Sequence, residues 1–135
     1  HAAIGDWIFG CDICQEVCPH AQPTRRSRRA MVHEAYAPQR DGFDLLEVLG
    51  WTEEDRRLAF TGSALKRAKL PMMKRNALIV AGNRLVSGPG GPGDADLRRR
   101  IQEIAGDPDE PALVRRTAED VLRRLGAGPG DSARD

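Results

Sequence analysis

The sequence predicts a mainly α protein built from short helices in antiparallel pairs. Three observations carry that expectation. The composition is rich in Ala, Leu, Arg and Glu, all good helix formers. Aromatic residues make up only 4% of the chain against 30% charged, which argues against a large sheet, since strands draw on aromatic and β-branched side chains. Apolar residues recur at i, i+4, i+7 and i+8 in the second half, the spacing of one buried helix face. Short helices that each carry one apolar stripe can bury it by stacking as hairpins, the arrangement of a HEAT-like α-solenoid. An irregular helical bundle would use the same stripes.

The elements follow in order. Residues 1–20 hold the three cysteines, and residues 21–42 are polar and basic with Pro23, Pro38 and Gly42, as in a surface connector. The helical region spans 43–126. "FDLLEVLG" sets Leu45, Leu46 and Leu49 on one face and stops at Gly50. "TEEDRRLAF" opens with Thr52 as an N-cap and places acidic residues in the first turn, where the helix dipole favours them. "GSALKRAKL" is a short helical piece ended by Pro71, which then begins "PMMKRNALIVAGN", with Gly82 and Asn83 as stop residues. "SGPGGPG" (87–93) reads as a flexible link. Two amphipathic helices follow, one carried by Leu97, Ile101, Ile104 and Ala105, the other by Val114, Ala118, Val121, Leu122 and Leu125. The "GDPDEP" turn lies between them, and residues 127–135 read as a disordered tail.

No apolar run is long enough to span a bilayer, and no signal peptide precedes the first motif, so a cytoplasmic protein is expected. The chain begins at His1 with the cysteine motif almost at once, so it reads as a C-terminal piece of something longer.

"GCDICQEVCPH" (10–20) places Cys11, Cys14 and Cys18 in the pattern C-x2-C-x3-C followed by Pro19. Three thiols so close together, without secretion signals, point to a metal site and not to a disulfide framework. The bacterial ferredoxin run C-x2-C-x2-C-x3-C-P ends in this same pattern, and its last cysteine serves a second cluster. Under that template Cys11 and Cys14 serve one [4Fe–4S] cluster and Cys18 another, both completed by cysteines upstream of His1. The three thiols with His20 also form a Cys3His set that structural zinc accepts. The reversed spacing C-x3-C-x2-C of radical enzymes does not match. A set of buried free cysteines fits the pattern least well, because packing alone rarely gathers three thiols within eight positions.

A net charge of +1 hides clumped basic residues. Arg98 to Arg100, Arg115, Arg116, Arg123 and Arg124 have acidic neighbours and suit a solvated helix face. "KRAKLPMMKRN" differs, because it holds Lys66, Arg67, Lys69, Lys74 and Arg75 with no acid between Ala64 and Gly93. Lys74 and Arg75 fall near a helix start, where the dipole disfavours cations, so the pattern suggests a bound phosphate backbone. The arginines at 25–29 are a second candidate or an ordinary charged loop. Asn76 could cap a helix or read a base. His33 and Tyr36 have no partner motif.

Three ordered blocks give the chain a family resemblance. "IGDWIFGCDICQEVCP" (4–19), the long block from "FDLLEVLG" to "LIVAGN" (43–83) and a helical repeat pair to about residue 125 are similar to the C-terminal part of the epoxyqueuosine reductases. That resemblance implies an enzyme with an N-terminal cobalamin domain bearing a catalytic acid, a ferredoxin-like domain with two [4Fe–4S] clusters, and HEAT-like repeats that help hold a tRNA anticodon arm. It implies electrons passing from an unidentified donor through the clusters to cobalt, and reductive removal of the epoxide oxygen. It makes Cys11 and Cys14 ligands of the cluster nearer cobalamin and Cys18 the ligand crossing to the other. It sets Asp12 close to the corrin and matches Lys66, Arg67, Lys69, Lys74 and Arg75 to the basic stretch of the helical domain. The cobalamin domain, the catalytic acid and most cluster cysteines have no counterpart in the sequence, so this polypeptide alone is expected to be inactive, and a monomer. The rival expectation is a ferredoxin-like electron carrier or adaptor whose repeats bind a protein partner.

Overall fold

The computed structural model describes residues 5–10, 13–20, 42–88 and 90–126. Two compact units divide the chain, residues 10–43 in one and residues 1–9 with 44–135 in the other. The expected connector, except Gly42, and the expected tail at 127–135 lie outside the described residues. The cysteine unit contributes a single turn, α1 (Ile13–Glu16). The other unit holds α2 (Leu45–Gly50), α3 (Glu53–Ala59), a 3-10 turn (Ala64–Arg67), α4 (Leu70–Ser87), α5 (Asp94–Gly106) and α6 (Ala112–Gly126). No strand occurs among the described residues. The mainly α expectation is met.

The Asp44 carboxylate starts α2 by accepting from the Glu47 N–H at 3.0 Å. Its buried face is Val48 and Leu49, with Leu45 and Leu46 half-buried. The chain leaves α2 through Trp51, whose ring meets Phe60 edge to face with centroids 5.6 Å apart. Thr52 and Asp55 then close a reciprocal capping box on α3, as the "T-E-E-D" order invites.

α4 is the organising element. Ala77, Leu78, Ile79, Val80 and Ala81 are consecutive and all buried, so the middle of this helix is covered on every side. It packs on α2, α5 and α6, and α5 packs on α6 and α2. Leu97, Ile101 and Ile104 of α5 and Val114, Ala118 and Val121 of α6 complete the core as the stripes foretold, each larger side chain contributing about 1.5–3 kcal/mol on burial. Ala105, Leu122 and Leu125 lie half-buried at the margin.

Two local expectations fail at the end of α4. The helix runs through Gly82 and Asn83 to Ser87. Gly82 is there for closeness: a Cβ on it would stand 2.8 Å from Val121 Cγ1, so glycine lets α6 approach. The Asn83 side chain is spent on tertiary contacts, not on a cap. "GSALKRAKL" forms only the 3-10 turn, with Ser63 Oγ accepting from the Leu65 N–H at 3.1 Å. The Gly-Pro stretch read as a flexible link is tied down where it is described. The Asp94 carboxylate accepts from the N–H groups of Gly90 and Gly91, both at 2.9 Å, and Arg84 donates to the Pro92 carbonyl at 2.8 Å.

Candidate thiol segment and basic edge

α1 is one turn closed by the Val17 N–H donating to the Ile13 carbonyl at 3.0 Å. It carries Cys14, which is exposed, while Cys18 follows it half-exposed; both are free thiols. Pro19 and His20 are exposed. Cys11 and Asp12 lie outside the described residues. Among the described residues no cluster of three or more His, Cys, Asp or Glu side chains is arranged to hold a metal ion. The donors still suit the implied chemistry, because accessible thiols four positions apart offer soft thiolate ligands of the kind iron–sulfur clusters and zinc take. Further ligands are required to close such a site.

The basic segment is held from behind. Arg56 of α3 donates to the Lys66 carbonyl at 3.0 Å and to the Ala68 carbonyl at 3.2 Å, fixing the backbone that bears Lys66, Arg67 and Lys69. These three cations are exposed, and none is paired with a carboxylate among the described residues. They flank the start of α4, whose first turn has no acidic residue and whose N-cap, Lys69, makes no side-chain capping bond. Such an end presents partial positive charge outward.

Lys74 is placed differently. It is 8% exposed, and its ammonium pairs with the carboxylate of Glu110, across from it at the start of α6. The anion that offsets its position near the helix start is therefore inside the fold. Glu110 lies 36 residues away in sequence, so no local pattern pointed to it. Arg75 is half-buried and donates to Asn76 Oδ1 at 3.0 Å, while Asn76 Nδ2 donates to the Ile8 carbonyl at 2.7 Å. Sequence reasoning read Asn83 as a helix stop and Arg124 as part of a solvated face, and gave Arg84 no role. With Gly5 and Asp6 they border a cavity of about 330 Å³.

No family model matches the chain, and no solved structure matches it. Curated relatives do. A protein of Burkholderia pseudomallei is 36% identical over 130 residues, covering 89% of this chain and 30% of that protein. One of Pseudomonas aeruginosa is 33% identical over 126 residues, covering 91% of this chain and 31% of its own length. One of Cyclobacterium marinum is 40% identical over 78 residues, covering 56% of this chain and 23% of its own length. All three are named as reductases, which sets the chain among relatives of oxidoreductases. Over the segment it spans, about 30% of the length of those it matches most fully, the chain is similar to proteins named epoxyqueuosine reductase.

Proposed function

We propose that this chain forms part of an epoxyqueuosine reductase that removes the epoxide oxygen from epoxyqueuosine in tRNA, leaving queuosine. The observation that carries the reading is the 36% identity extending over 89% of the chain. In this reading Cys11 and Cys14 ligate one [4Fe–4S] cluster, Cys18 ligates the other, and the remaining ligands come from polypeptide outside these residues. When bound, the clusters and cobalamin supply the two electrons that, with two protons, release the epoxide oxygen as water. Asp12 would help to hold the cobalamin. The helices act as HEAT-like repeats in a cytoplasmic monomer that takes electrons from a separate donor. No helix among the described residues is long and apolar enough to cross a membrane.

The helical unit's share is to hold tRNA by its phosphates. Lys66, Arg67 and Lys69 are exposed, Arg56 fixes their backbone, and the uncapped start of α4 adds its dipole. Arg75 joins this edge from its half-buried place. Lys74 supports it through the Glu110 pair and makes no phosphate contact of its own. Filter binding of tRNA to the intact gene product over a salt series tests this. Replacing Lys66, Arg67 and Lys69 with alanine should weaken binding and lower the slope of log affinity against log salt by about 2–3, since each lost phosphate contact removes about 0.7–0.9. A flat salt response in the unaltered protein would favour the carrier or adaptor with a protein partner.

A further inference from the structure

Two asparagines of α4 make the same unusual contact. Asn76 Nδ2 donates to the Ile8 carbonyl at 2.7 Å, and Asn83 Nδ2 donates to the Gly5 carbonyl at 3.2 Å. Seven residues apart, they lie two turns apart on one helix face, so residues 5–8 run along that face. Each amide is also aimed. Arg75 donates to Asn76 Oδ1 at 3.0 Å, and Arg124 donates to Asn83 Oδ1 at 3.3 Å. A guanidinium on the oxygen fixes which end of the amide faces the carbonyl and polarises the N–H that makes the contact.

Among the described residues of this stretch, burial adds little. Asp6, Trp7 and Phe9 are exposed, and Gly5 and Ile8 are only half-buried. Gly10, next in the chain, has φ 66°, a left-handed conformation that favours glycine. Cys11 follows Ile8 by three residues. Residues 5–9 accordingly group with the helical unit, not with the cysteine run they lead into.

We infer that Asn76 and Asn83 are positioning residues that anchor the backbone from which the cysteine run departs, and that Arg75 and Arg124 act by aiming them. Where it concerns cluster ligands, the inference rests on the function proposed above. The test uses the intact gene product, reconstituted with iron and sulfide without oxygen, and the variants Asn76→Asp and Asn83→Asp, singly and together. Aspartate keeps the size and the arginine contact but cannot donate to a carbonyl. Backbone amide exchange across residues 5–10 should quicken by about tenfold or more in the double variant. The electron paramagnetic resonance spectrum of the reduced protein should change shape at unchanged iron and sulfide content. If the double variant does not fold, Asn76→Asp alone and Arg75→Gln carry the same two readouts. Unchanged exchange would overturn the anchor. Faster exchange with an unaltered spectrum would overturn the positioning role and leave a merely structural contact. A parent protein that binds no iron or sulfide would instead sink the metal reading, while exchange still decides the anchor.

Discussion

A methyl group at position 82 has no room. Its carbon would lie 2.8 Å from Val121 Cγ1, 3.3 Å from Cγ2 and 3.6 Å from Cβ, so no rotation of this stiff, fully buried side chain clears it. In an exposed helix Gly→Ala gains about 1 kcal/mol, but here overpacking at about 1–3 kcal/mol wins, and Gly82→Ala should destabilise in urea unfolding. Val121→Ala should then cost less in that variant than in the unaltered protein, which a double-mutant cycle reads directly. Lys74 gives the second residue-scale expectation. Replacing it with methionine strands the Glu110 carboxylate, whose side chain is 10% exposed, at a cost of about 3 kcal/mol. Replacing both, Lys74→Met with Glu110→Leu, should restore most of the stability and leave tRNA affinity unchanged. A large loss of affinity in that stable pair would return Lys74 to the phosphate-binding surface.

At the scale of elements, α3 is held by its cap more than by burial, for none of its residues is buried. Asp55 Oδ2 accepts from the Thr52 N–H at 2.8 Å and from the Thr52 hydroxyl at 2.7 Å. The backbone bond first and the hydroxyl second pull the Asp55 carboxyl below its ordinary value of 3.8. A carboxyl so lowered favours the fold above its unfolded value and loses that contribution as pH falls through the folded one. Asp55→Asn should therefore show a shallower acid limb in urea midpoints measured below about pH 4; parallel limbs would remove the cap from the account. The Thr52 cap and the acidic first turn were legible in the sequence because they lie within four residues, whereas the reciprocal bond to Asp55 came from the fold. The stripes of α5 and α6 were legible for the same reason, since a buried face leaves its period in consecutive turns. The end of α4 was not. A glycine that admits a neighbour and a glycine that ends a helix look alike locally, and Val121 lies 39 residues beyond Gly82. Asn83 finds its partners at Gly5 and Arg124, separations of 78 and 41 residues that no local rule reaches. For the site, residue types located the thiols and the basic edge, but only the fold separated exposed Lys66, Arg67 and Lys69 from buried Lys74.

For the molecule as a whole, the question is whether the thiols serve one metal centre or two. Read as the end of a ferredoxin run, the pattern C-x2-C-x3-C-P would divide them, Cys14 to one cluster and Cys18 to the other. A Cys3His zinc site would unite them with His20. Both thiols are accessible, and a ligand set of either kind draws on residues outside the described ones. The two arrangements predict different losses in the intact gene product purified without oxygen. With two clusters, Cys14→Ala and Cys18→Ala should each retain about half the iron, and the two variants should leave different paramagnetic signals, because each spares the cluster the other loses. His20→Ala should leave iron content untouched. With one zinc, any of the three substitutions should empty the same site, and no visible absorption should accompany the unaltered protein, since zinc has no redox or d-electron transition. Iron lost in full from either cysteine variant would mean that the clusters assemble only together, and the independent assignment of Cys14 and Cys18 would fall.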